Sequence, residues 1–250
     1  MKPIIDVKGV TFGYASGDPA IIDASFHIMP SQLVAIIGPN GGGKTTLLKL
    51  LMGFLLPWEG SISILGHAPT HYPNGIAYVP QMTGFDRQFP MTTLDLVLTG
   101  RLSSLPWWGL YRREDRERAH EALEQVNLIN FAKKPFGSLS GGQLQRALIA
   151  RALISDPKIL LFDEPLAHLD EKAENELVEL LGHIRKEKTI LMVTHTIQSI
   201  LAEVRQILCV QGRVDVMTKE QICEHFALGL YHYPLIESPH KHHFAEGEKK

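Results

Sequence analysis

The stretch Val34-Ala-Ile-Ile-Gly-Pro-Asn-Gly-Gly-Gly-Lys-Thr-Thr-Leu-Leu-Lys-Leu-Leu51 limits the fold more than any other part of the chain. It opens as an apolar run, Val34 to Ile37, that reads as a buried strand. It breaks into a glycine-rich turn and resumes as Lys44-Thr45-Thr46 followed by leucines at helical spacing. Gly38, Gly43, Lys44 and Thr45 fit G-x-x-x-x-G-K-[ST], the spacing of a phosphate-binding loop. Pro39, Asn40, Gly41 and Gly42 fill the turn, and Thr46 enters the helix. Glycines let the backbone approach an anion and turn successive N–H groups inward. The helix beginning near Lys44 adds the positive end of its dipole. Lys44 can reach the outer phosphates and the Thr45 hydroxyl can ligate Mg²⁺. A glycine turn with an incidental lysine is the plain alternative; a strand before and a helix after favour the phosphate loop.

A chain of 250 residues holds one large domain, or one domain with an inserted subdomain. Hydrophobic residues make up 44% and charged residues 21%, as in folded rather than disordered proteins. The net charge of −2 lacks the basic surplus of a dedicated nucleic-acid binder, so no nucleic-acid partner is expected. Two cysteines, Cys209 and Cys223, make no disulfide framework and suit a reducing compartment. The start, Met1-Lys-Pro-Ile-Ile-Asp-Val, reads as no signal peptide, and no apolar run is long enough to cross a bilayer. A membrane role would therefore come through a partner.

Ile4 to Phe12 alternates like a strand, and Ala20 to Ile28 gives a second, so the chain opens as a small antiparallel layer. Tyr14 sits in the loop between them, where its ring could stack on a purine or be an ordinary half-buried tyrosine. Ser61 to Leu65 and Ile76 to Val79 are further short strands, the second ending toward Gln81. From Met82 to about Asn130 the character changes. A helix start at Thr92-Thr-Leu-Asp95 and a charged helix from about Arg112, with Ala119, Ala122, Leu123 and Val126 on one face, read as an inserted helical subdomain. Its aromatics Phe85, Phe89, Trp107 and Trp108 are either partner contacts or the subdomain's own core.

Leu139-Ser-Gly-Gly-Gln143 opens a helix read as Leu144 to Ile154, and Ser140 with Gly141 and Gly142 at its N-terminus forms a second anion site. Ile159-Leu-Leu-Phe-Asp-Glu-Pro165 is an apolar strand delivering two carboxylates at its end. Asp163 is placed to hold Mg²⁺ and Glu164 to orient and deprotonate water; a bare turn after a strand is the competing reading. Ile190 to Val193 is another buried strand, with His195 at its exit. A lone histidine is usually a structural residue, but here it leaves a strand parallel to the one carrying Asp163 and can face the same crevice.

In these motifs the chain resembles the ATPase subunits of ATP-binding cassette transporters, over about residues 4 to 220. Leu-Ser-Gly-Gly-Gln is that family's signature, and Ser140, Gly141, Gly142 and Gln143 fall within it. The resemblance implies an α/β fold: a P-loop NTPase core with an antiparallel β-layer and a helical subdomain inserted at about 82–155. It implies ATP and Mg²⁺ as cofactors. Tyr14 then looks like the adenine-stacking aromatic, and Gln81 like the glutamine that senses Mg²⁺ and the attacking water. Asp163 and Glu164 match the metal-binding aspartate and the general base. Leu169-Asp170 resembles the loop crossing the dimer interface, and His195 the switch histidine. Two departures stand out: Ala167-His168 where the family often has Ser-Ala, and Thr196 where Asp is common.

The resemblance further implies a head-to-tail homodimer, with Ser140 and Gly142 of one chain against ATP held by the other. Integral membrane permease subunits, an extracytoplasmic solute-binding protein and a peripheral place on the cytoplasmic face of the membrane go with it. Tyr78-Val-Pro-Gln81, Phe89 to Arg101 and Arg112 to Arg118 are similar to the zinc/manganese/iron importer branch, although such stretches recur in siderophore importers. A soluble nucleic-acid or ribosome machine would carry two cassettes or a long coiled-coil insertion, and a silent relative would lack Glu164 or His195. The cassette is expected to end near residue 229. The tail from Leu230 to Lys250 concentrates His232, His240, His242 and His243, either as an inert extension or as a weak metal-responsive one.

Overall fold

A computed structural model describes residues 2–15, 17–71, 75–81, 86–107 and 109–219. Phe85, Trp108, Cys223 and the histidine-bearing tail lie outside the described residues.

The phosphate-loop strand is the centre of the larger sheet. Strands β1 (Ile5–Gly13), β2 (Pro19–Ile28), β3 (Leu33–Ile37), β4 (Glu59–Ile64) and β5 (Ile76–Val79) come first, with helix α1 (Lys44–Leu51) directly after β3. Helices α2 (Thr93–Leu98), α3 (Arg113–Gln125) and α4 (Gly141–Leu153) follow. Then come β6 (Ile159–Asp163), α5 (Glu171–Ile184), β7 (Thr189–Val193), β8 (Gln206–Gln211) and β9 (Arg213–Met217). The six-stranded sheet runs β5-β6-β7-β3-β8-β9, parallel except for β9, which returns antiparallel to β8. The three-stranded sheet runs β2-β1-β4 and is antiparallel, as the alternation at the start of the chain requires.

Strand β3 is apolar throughout, and β6 up to Phe162 and β7 from Ile190 are too, because both of their faces are covered. Val34, Ile36, Ile159, Leu161, Leu191 and Val193 face the core shared with α1 and the antiparallel sheet. Leu33, Ala35, Leu160, Phe162, Ile190 and Met192 face the core shared with α2 to α5. The helices α2, α3 and α4 pack on one another between β5 and β6 in the chain, so the inserted helical layer is there. Ala119, Ala122, Leu123 and Val126 form its buried seam. Thr92 caps α2 in a reciprocal box with Asp95, which explains why the helix starts there.

The signature helix differs from the expected Leu144 start. Gly141, Gly142 and Gln143 already form its first turn. Ser140 Oγ accepts from the Gln143 N–H at 3.3 Å, and the Gln143 side chain accepts from the Ser140 N–H at 3.0 Å. A Ser followed three residues later by Gln makes a capping box, and that local bonding outweighs the low helix propensity of two glycines. Of the aromatics, Phe89 is 54% and Trp107 93% exposed, so these two are not subdomain core.

Candidate functional site

The phosphate loop is a fold of backbone around glycine. Gly38, Gly41 and Gly43 have φ of 147°, 77° and 104°. A Cβ on Gly38 would stand 2.1 Å from the Val210 carbonyl oxygen, and one on Gly42 2.5 Å from it. Strand β8 thus roofs the loop and admits no side chain, whereas Gly41 faces open space. Gly43 precedes α1 with no side-chain cap. The Lys44 ammonium, 7% exposed as a residue, donates to the carbonyls of Gly38 and Pro39, each at 2.9 Å. Burial pushes its pKa down, and the nearby carboxylates of Glu164 and Asp163 oppose that.

Those carboxylates arrive at the end of β6 by parallel register: Asp163 lies opposite Val193 of β7. Burial raises the Asp163 carboxyl above the usual range; the Tyr78 hydrogen bond lowers it, the Glu164 charge raises it, and Lys44 lowers it. Tyr78, from β5, donates its hydroxyl to Asp163 Oδ2 at 3.1 Å, and its own pKa is pushed up to about 12 by burial and by the Asp163 charge. Glu164 takes φ 49°, a left-handed backbone that few non-glycine residues adopt, while its N–H donates to the Val193 carbonyl at 3.0 Å. That turn presents both carboxylate oxygens: Gln81 Nε2 donates to Oε2 at 3.1 Å, and His195 Nε2 lies 2.7 Å from Oε1.

So the structure gathers Lys44, Gln81, Asp163, Glu164 and His195 at the carboxyl ends of β3, β5, β6 and β7. Tyr14, 52% exposed, is tied to α1 through its hydroxyl and Thr46 Oγ1 at 3.1 Å. Thr45 is exposed beside it. The signature is not part of this cluster. Among the described residues no hydrogen bond joins Ser140–Gln143 to the phosphate loop. Instead α4 begins against α5, where a Cβ on Gly142 would stand 2.7 Å from Ala173 Cβ. Asp170 caps α5, accepting from the Ala173 N–H at 2.8 Å. His168 precedes it with φ 63° and an exposed side chain.

Two contributors escaped sequence reasoning. Tyr78 carries the only hydroxyl in β5, the edge strand paired with β6, three residues before Gln81, and strand pairing would have pointed to it. Val210 acts through its carbonyl, which leaves no trace in side-chain chemistry.

A glycine loop at a strand-to-helix turn, with strand-end carboxylates facing its lysine, defines a P-loop nucleotide-binding cassette. The model of the ABC transporter family matches residues 21–167. The chain belongs to that family as an ATP-binding, ATP-hydrolysing subunit. It is 45% identical over 190 residues to the "Probable metal transport system ATP-binding protein" of Chlamydia trachomatis, covering 76% of this chain and 80% of that one. It is 38% identical over 199 residues to the manganese transport system ATP-binding protein MntA of Synechocystis, covering 78% and 76%. The dimeric structure of MJ0796, a bacterial ABC transporter cassette, superposes with a TM-score of 0.72 at 29% identity, covering 86% of this chain and 98% of that one. Among the described residues no helix is long and apolar enough to cross a membrane.

Proposed function

We propose that this chain powers an ABC importer for a divalent transition metal, manganese, zinc or iron. The observation that carries the hydrolytic part is Glu164, held at both oxygens by Gln81 and His195 beside Asp163 and Lys44. The metal part rests on the transport systems named for the relatives in Chlamydia and Synechocystis.

The backbone N–H groups from Gly38 to Thr46 hold the ATP phosphates, Lys44 turns its ammonium from the loop carbonyls to the outer phosphates, and Tyr14 stacks on adenine. The residues fit Mg²⁺. Asp163, Gln81 and Thr45 offer hard oxygen donors, and two adjacent carboxylates face one lysine, an imbalance that a cation relieves. Bound there, Mg²⁺ would neutralise charge on the phosphates. Glu164 accepts the proton of the attacking water, Gln81 orients that water, and His195 contacts the γ-phosphate. Ser140, Gly141, Gly142 and Gln143 serve the ATP of a second, head-to-tail chain, with Asp170 at the crossing. On this reading residues 1–229 work as the ATPase unit, with 230–250 appended.

Permease subunits anchor the dimer to the cytoplasmic face of the membrane and receive cargo from an extracytoplasmic binding protein. Phe89, 54% exposed and close in sequence to Gln81, is a docking residue for the permease. The test is ATP-driven uptake of Mn²⁺, Zn²⁺ and Fe²⁺ into vesicles carrying the chain with its permease. Uptake of one of these ions, lost in Glu164→Gln, is expected. Uptake of a siderophore complex and of no free ion would overturn the cargo assignment. Phe89→Ala should lower uptake while the isolated chain keeps its ATPase; loss of both would return Phe89 to a structural role.

A further inference from the structure

An aromatic chain leads away from the nucleotide site on the side of the antiparallel sheet. Tyr14 meets Phe12 edge-on, with centroids 5.2 Å apart and planes at 85°. Phe12, 6% exposed, meets Trp58 at 6.0 Å and 42°. Trp58 belongs to the segment leading into β4, and its N–H donates to the Thr11 carbonyl at 2.8 Å, which pins it beside β1. Its indole occupies the space a side chain at residue 13 would need. A Cβ on Gly13 would stand 2.5 Å from the far edge of the ring. Gly13 has no positive φ, so the glycine is required here for space and not for backbone conformation.

Trp58 is a large hydrophobic left 51% exposed, so burial alone does not account for it. Tyr14 follows β1 directly, and Ala15, with φ 55°, Gly17 and Asp18 after it are exposed. Its position is set by Phe12 on one side and by Thr46 at its hydroxyl. Phe12 in turn is backed by Trp58.

We propose that Trp58 is a positioning residue for the nucleobase: it acts through Phe12 to hold the Tyr14 ring in the plane that stacks on adenine. The inference rests on the reading of Tyr14 as the stacking residue. Preorganising one ring spares the ordering that binding would otherwise require, so the effect falls on nucleotide affinity and not on the chemical step. An aromatic pair contributes enough that Trp58→Ala should raise KM for ATP about fivefold with kcat within about twofold.

The experiment uses the full chain and measures KM and kcat for ATP, with thermal midpoints as a check on folding, for five variants. These are Trp58→Ala, Trp58→Phe, Gly13→Ala, Tyr14→Ala and the double variant Trp58→Ala/Tyr14→Ala. Trp58→Phe keeps a ring against Phe12 and should recover most of the affinity. Gly13→Ala touches no nucleotide yet displaces the indole, and should raise KM as Trp58→Ala does. The double variant should be no worse than Tyr14→Ala alone, because the two act in series. A raised KM in Tyr14→Ala with wild-type KM in Trp58→Ala overturns the relay and leaves the stacking role intact. Fully additive effects in the double variant also overturn the relay. Wild-type KM in Tyr14→Ala overturns the stacking role and the relay with it.

Discussion

Helices α1 and α4 both begin in glycine-bearing turns, and their first turns are finished in different ways. At α1 the cap position is Gly43 with no side-chain acceptor, and Lys44 is buried behind the loop. At α4 the exposed Ser140 and the half-buried Gln143 close on each other in a capping box. The first leaves backbone donors for an anion and surrounds them with a roof, a lysine and two carboxylates. The second is self-satisfied, and an anion there competes with a cap worth about 1 kcal/mol. On the proposed function, the first helix start is a site by itself. On the same reading, the other becomes one only when a second chain brings phosphate to it.

The strongest test of that contrast is Glu164→Gln. Its turnover should fall roughly a thousandfold, because an amide cannot accept the water proton. Uncleaved ATP at α1 should then recruit α4 of a second chain, and gel filtration should show an ATP-dependent dimer. A variant that holds ATP and stays monomeric would break the comparison. Lys44→Ala should weaken ATP binding and turnover by roughly a hundredfold and abolish that dimer. Ser140→Ala placed in the Glu164→Gln background should leave ATP affinity of the dilute monomer as it was and weaken the dimer by about tenfold. If monomer affinity falls instead, α4 serves its own chain's nucleotide. The smallest effect is the control. Thr92→Ala removes the box at α2, away from the cluster of Lys44, Asp163 and Glu164; stability should drop by about 1 kcal/mol in urea unfolding, with turnover unchanged.

The features most legible in the sequence were those written in one contiguous stretch. The apolar runs at Val34 to Ile37, Ile159 to Phe162 and Ile190 to Val193 became β3, β6 and β7, because strands buried on both faces carry no alternation to misread. The glycine loop and the strand-end carboxylates were readable for the same reason. The start of α4 was misplaced by three residues, since glycines argue against helix until the Ser140–Gln143 pairing is counted. What could not be read were contacts between segments far apart in the chain. The Val210 carbonyl over Gly38, the Tyr78 hydroxyl on Asp163 and the Trp58 ring over Gly13 depend on strand order, which no local pattern encodes.

The grip on Glu164 has a consequence for how the molecule idles. Its two oxygens are engaged by chain segments that belong to different parts of the fold: Gln81, leading from β5 toward the helical layer, and His195, leaving β7. On the proposed role, an arriving water must share or displace one of these contacts before it can hand over a proton. Any shift of the helical layer that a transporter partner imposes would therefore be felt at the carboxylate through Gln81. On that role, fuel consumption in the absence of cargo would depend on how often the Gln81 or the His195 contact opens, and a partner acting on the helical layer would reach the carboxylate through Gln81.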